Sequence, residues 1–195
     1  EPPATSPGFL DRIKNPIVDI RPYDPRPECF VSLEGGPGGA AITQAPAKPV
    51  VWELSGEAFS VPVLPVVQGT LVDIRNTGRS THLLFAKDHT ELFRKDAVGP
   101  GGSRQLALTS VEGTVRIQSQ DSPHVSGKIV VLPTRLHSRL ALDGTFQVAD
   151  VPPGKWTLRV WCRDGWLPTT QVFEATAKTA KLKLTLPERL VTKSA

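Results

Sequence analysis

Four histidines, two cysteines and no methionine set the metal and nucleophile chemistry open to this 195-residue chain. His82, His89 and His124 could gather at one end of a β-structure. They lack the H-x-H or H-E-x-x-H spacing that fixes ligand geometry, and they read as turn histidines plus a half-buried His82 with a backbone partner. No G-x-S-x-G nucleophile elbow is present. Acidic pairs such as Asp19 and Asp24 fall in a proline-rich stretch that cannot hold two carboxylates at a fixed separation. The chain therefore offers no preorganised catalytic constellation. It is read as a non-enzyme that needs no cofactor, with His82 and His124 as weak metal candidates.

The remaining reactive pair is Cys29 and Cys162. They are far apart and have no C-x-x-C partner. An even count in an exported chain points to a disulfide closing a very long loop, the alternative being two buried thiols. Export is expected from the opening residues. Met is absent even at position 1, and Glu1-Pro2-Pro3-Ala4-Thr5-Ser6 carries no apolar run, as at a mature end left by signal-peptide removal. No stretch approaches the ~20 apolar residues of a membrane span. The expected location is periplasmic, secreted or at a cell surface of bacterial type. A formal net charge of +4 is mild, and lysines alternate with apolar residues in Lys181-Leu182-Lys183-Leu184. That pattern is a strand with one wet face, so no nucleic-acid partner is expected.

Aromatic residues are the other candidates. By strand alternation Trp156, Leu158, Val160 and Cys162 share one face, and Thr157, Arg159 and Trp161 the other. Trp166 follows the Asp164-Gly165 turn. Tryptophan beside arginine offers large contact area with polar tips, so Arg159, Trp161 and Trp166 are candidate binding residues, and tryptophan also stacks on sugars. The competing reading packs Trp161 against a neighbouring module.

The elements that must position these residues are short strands. The 19 prolines and 16 glycines disfavour helices. Residues 1–27 carry seven prolines and should form an extended arm, with Ile17-Val18-Asp19-Ile20 able to add to a sheet edge. Strand patterns follow at Cys29–Leu33, Val50–Leu54, Ala58–Val66, Leu71–Ile74, Thr81–Phe85, Gln105–Leu108, Gly113–Ile117 and Gly127–Leu132. Further strands are expected after Asp143-Gly144, at Trp156–Cys162, at Gln171–Phe173 and at Leu182–Leu186. Regular spacing without a helical period argues for an all-β, sandwich or Greek-key, architecture.

Two segments resemble known families. Asp143-Gly144-Thr145-Phe146, Val151-Pro152-Pro153-Gly154-Lys155-Trp156-Thr157-Leu158 and Gly165-Trp166 resemble the carboxypeptidase regulatory-like (transthyretin-like) sandwich, over about 134–187. That resemblance implies a folding and interaction module without chemistry of its own. Phe59, Gly69-Thr70-Leu71-Val72-Asp73-Ile74-Arg75-Asn76, His82 and the run Val115 to Val131 resemble a cupredoxin-like domain of the methylamine-utilisation-protein type, over about 28–132. That family implies copper held by two histidines, a cysteine and a methionine. Matched onto this chain, the first position is His82; the others hold Ser119, Ser122 and Val125, with His124 two places beyond Ser122. The thiolate defines a type-1 copper site, so the resemblance implies a frame whose copper ligands are gone.

The domain reading is an arm at 1–27, a cupredoxin-like sandwich at 28–132 and a transthyretin-like sandwich at 133–195 with a short C-terminal tail. The two sandwiches stand in series unless the strand at Phe30–Glu34 belongs to the second sheet, which would make the first module an insertion. The function expected is that of a non-catalytic accessory subunit binding a larger periplasmic, outer-membrane or cell-surface protein assembly. The alternatives are a carbohydrate or cell-wall binding module using Trp161 and Trp166, and a copper carrier using His82 and His124.

Overall fold

A computed structural model describes residues 24–93, 96–176 and 182–183. Most of the arm expected at 1–27, and most of the strand expected at Leu182–Leu186, lie outside the described residues. The described residues from Pro25 onward belong to one compact unit.

The described chain is nearly all β. Its strands are β1 (Cys29–Glu34), β2 (Val50–Ser55), β3 (Ala58–Phe59), β4 (Val63–Val67), β5 (Leu71–Asn76), β6 (His82–Ala86), β7 (Asp96–Val98), β8 (Ser103–Ala107), β9 (Gly113–Ser119), β10 (Ser126–Leu132), β11 (His137–Arg139), β12 (Gly154–Cys162) and β13 (Gly165–Ala175). The described helical pieces are a 3₁₀ turn at Arg26–Glu28 and one α-turn at Ala40–Thr43.

Three sheets result: β4-β10-β9-β6-β7, β3-β2-β5-β8 and β11-β1-β12-β13. The first two close a sandwich. Alternation sends Trp52, Leu54, Ile74, Leu84, Ile117 and Ile129 into its core. The indole of Trp52 stacks on Phe59 with ring centroids 4.0 Å apart. Gly127 lets those rings approach β10, since a Cβ there would lie 2.5 Å from Trp52 Cζ2. Pro65 cannot donate to a ladder, and its strand β4 is a sheet edge, paired with β10 alone.

Strand β1 falls in the stretch grouped by sequence with residues 28–132. It pairs instead with β11 and β12, from Phe30↔Arg139 to Leu33↔Leu158. The sandwich is thus inserted between β1 and β11 of the third sheet. Alternation identifies a strand but not its partner, and here the partner lies beyond the whole inserted sandwich.

Hydrocarbon joins the third sheet to the sandwich. Val63, Val130 and Leu132 point outward from β4 and β10 and meet Phe30 and Trp161, with Trp166 packed alongside. Phe30 and Trp161 stack at 6.1 Å, and Trp166 meets both rings edge-on. The turn expected at Asp143-Gly144 forms, with Gly144 at φ +83° and Asp143 Oδ1 accepting from Thr145 N at 2.9 Å. The strand expected after it does not: no described partner supplies a ladder to Phe146–Val148.

Candidate functional site

Two regions hold the residues singled out by sequence. The first is the end of the sandwich where β5, β6 and β9 meet the β2–β3 turn. Period-2 alternation turns His82 inward with Leu84, and Ser119 inward with Ile117. His82 is 2% exposed, and its Nε2 lies 3.1 Å from the Gly56 carbonyl. With Nε2–H donating there, Nδ1 is left buried without a partner, as is Ser119 Oγ. Gly56 reaches this position in a tight turn at φ +62°.

Asn76 organises the neighbouring turn. Its Nδ2 donates to the carbonyls of Ser80 at 2.7 Å and Val98 at 2.8 Å, and its Oδ1 accepts from Gly78 N at 2.9 Å. A buried amide with three partners fixes the chain that delivers His82. The N-T-G turn was legible in the sequence; the role of Asn76 as its centre was not.

The other histidines do not join His82. His124 is exposed and its Nε2 meets Glu57 Oε2 at 2.8 Å. His89 pairs with Glu91 at 3.1 Å. Val125, at 0% exposure, enters the core as hydrocarbon. The donor set does not fit a type-1 copper centre. One imidazole and one hydroxyl point inward, and both sulfur atoms of the chain are bonded to each other. Soft thiolate or thioether donors are what such a centre requires. Among the described residues no three His, Cys, Asp or Glu converge on a common point.

The second region is the joint between sandwich and third sheet. Trp161, a candidate binding residue, is 6% exposed and packed on Phe30. This face is an internal interface, because Val130 and Leu132 of β10 cover the ring. Trp166 is half-buried, and Arg159 lies over its ring at 4.2 Å from the centroid. Arg159 also donates from Nη1 to Glu34 Oε2 at 3.0 Å. Arginine and tryptophan therefore satisfy each other within the chain.

Polar contacts missed by sequence flank this joint. Lys128 Nζ donates to the Arg163 carbonyl at 2.9 Å and to Asp164 Oδ1 at 2.5 Å. The bond to Lys128 holds the Asp164 carboxyl below its ordinary range; burial opposes it, and the fields of Lys128, Arg116 and Arg163 add smaller lowering effects. At β11, burial pushes the His137 imidazole below its ordinary pKa, partly offset by the carbonyls of Thr134 and Pro65. The Arg163-Asp164-Gly165 turn was readable, but Lys128 as its partner was not. Cys29 and Cys162, direct register partners across β1 and β12, form the expected disulfide.

No helix among the described residues is long and apolar enough to cross a membrane. No family model and no curated protein matches the chain. Solved structures do. A purple cupredoxin from Nitrosopumilus maritimus is 16% identical over 43% of this chain and 99% of its own, with a TM-score of 0.39. Amicyanin from Paracoccus versutus is 18% identical over 52% of this chain and 97% of its own, with a TM-score of 0.40. A Cu-containing nitrite reductase from Thermus scotoductus is 23% identical over 44% of this chain and 22% of its own, with a TM-score of 0.40. Over about half of its length the chain is thus similar to cupredoxins.

Proposed function

We propose that this chain is a non-catalytic, exported accessory subunit that binds a larger protein assembly through its outer surfaces. The observation that carries the reading is the sandwich end around His82. The imidazole Nε2 bonds the Gly56 carbonyl, and Val125 fills the interior beside the strands that would otherwise present a ligand loop. With its inward histidine and serine, His82 and Ser119, buried away from solvent, the frame works by its exterior.

Two further points support it. A disulfide favours an oxidising compartment such as a periplasm or cell surface. The resemblance of about 134–187 to the carboxypeptidase regulatory-like sandwich fits an interaction module. The sugar-binding alternative loses its main platform, since Trp161 is covered by β10 and Trp166 by Arg159.

The test is affinity purification of the tagged chain from native membranes in several mild detergents. A stable partner at constant stoichiometry is the expected result. A chain that emerges alone from every detergent overturns the reading.

A further inference from the structure

We propose that the outer face of β6 and β9 receives a carboxylate-bearing segment of a protein partner at Lys87 and Arg116, the open end of a row of cations whose third member, Lys128, is already held by Asp164. The proposal rests on the accessory-subunit reading and names the chemistry of its partner.

The row follows from register. Ala86 pairs with Ile117 and Lys87 N donates to the Arg116 carbonyl at 2.9 Å, so Lys87 follows β6 opposite Arg116 on β9. Arg116 is in turn the register partner of Lys128 on β10. Ala86, Ile117 and Ile129 beside them are buried, which turns all three cations to the outer face. Adjacent strands set the side chains roughly 5 Å apart. Like charges directly opposed on a sheet repel, and an anion laid along the row relieves that repulsion.

The end of the row nearest the third sheet already holds such an anion. Asp164, carried on the tight turn between β12 and β13, bonds Lys128 and feels Arg116 and Arg163. It shows that a carboxylate on a peptide turn fits this face. One carboxylate serves several cations there. Lys87 and Arg116 have no ion-paired carboxylate among the described residues, and Asp88, next to Lys87, does not bridge to either. A row of three cations is short, and the described tryptophans are covered. Both facts favour a few side-chain carboxylates over a long nucleic-acid or sulfated-sugar polyanion.

The test uses the intact chain and a fluorescent deca-glutamate peptide, with binding read by anisotropy. Lys87→Glu/Arg116→Glu is compared with Lys48→Glu/Arg79→Glu, which changes net charge equally at exposed positions around the opposite sheet. The expected result is saturable binding at low salt that weakens at least about tenfold in the first variant and about twofold or less in the second. Circular dichroism and melting confirm folding, and Lys87→Gln/Arg116→Gln repeats the test without repulsion. Absence of saturable binding, or equal loss in both charge-reversed variants, overturns the proposal. Tighter binding of a sulfated oligosaccharide of matched charge, lost in the same variant, overturns the choice of carboxylates. Unchanged capture from membranes by Lys87→Glu/Arg116→Glu would sink the surface while leaving the accessory reading standing. Failed capture by the wild type alongside a positive peptide result would sink the accessory reading alone.

Discussion

Cys29 at the start of β1 and Cys162 at the end of β12 are direct cross-strand partners, so the disulfide lies inside one sheet and closes the root of the inserted sandwich. It does not bridge from the third sheet to the sandwich. Phe30 and Trp161, the next register pair along, make that connection by packing on Val63, Val130 and Leu132.

Removing the bond should destabilise the whole compact unit. The cysteines are 133 residues apart, and closing a loop of that size stabilises by about 4–5 kcal/mol in the chain-entropy picture. Cys29→Ser should lower the unfolding free energy obtained from urea titration by a comparable amount, and reductant should do the same to the wild type. A midpoint that does not move would show that the sheet pairings alone hold β1.

Truncating Trp161 should act on stability, not on surface binding. Trp161→Ala removes a covered ring and should cost about 3–5 kcal/mol. Trp166→Ala, at a half-buried position, should cost less. Equilibrium unfolding of both variants checks the order, and a larger loss at Trp166 would contradict the interface described.

Two titrating groups predict acid sensitivity in separate windows. His137 has a folded-state pKa depressed below its ordinary 6.5 by burial. Its contribution is fully present above about pH 6.5 and is lost as pH falls toward the folded value. Asp164 is depressed below its ordinary 3.8, chiefly by the Lys128 bond. Its contribution is present above that value and is lost as pH falls through the folded one. Melting temperature against pH should therefore fall in two stages, with His137→Gln flattening the upper stage and Asp164→Asn reducing the lower, which the lowered carboxyls of Asp143 and Glu91 share. A His137→Gln profile parallel to wild type would remove His137 from the account.

Copper should not generate a blue centre. Without a free thiol or a methionine, added Cu(II) has no sulfur ligand, so the intense visible band of copper–thiolate bonding should be absent. Optical titration with metal analysis after desalting provides the check. A stoichiometric, strongly coloured complex would contradict the donor set seen around His82.

Gly127→Ala should be costly for so small a change. The added methyl would meet the Trp52 and Phe59 rings at 2.5–2.9 Å, and overpacking of this kind costs about 1–3 kcal/mol. A wild-type unfolding midpoint would show that the aromatic pair can shift.

The sequence by itself determined the all-β class and most strands, because period-2 alternation, turn glycines and abundant proline are local properties. The resemblance to a cupredoxin-like frame also singled out Ser119 and Val125, and both are buried. Three things were decided by tertiary structure. Strand β1 joined the third sheet, because hydrogen-bond partners are chosen across more than a hundred residues. Trp161 became interface and not surface, because alternation separates two faces without saying what covers either. Lys128 found Asp164, and with Arg116 and Lys87 formed a row, because register between distant strands sets which charges become neighbours. Local pattern thus specifies the strand, while burial and charge proximity are properties of the packed sheets.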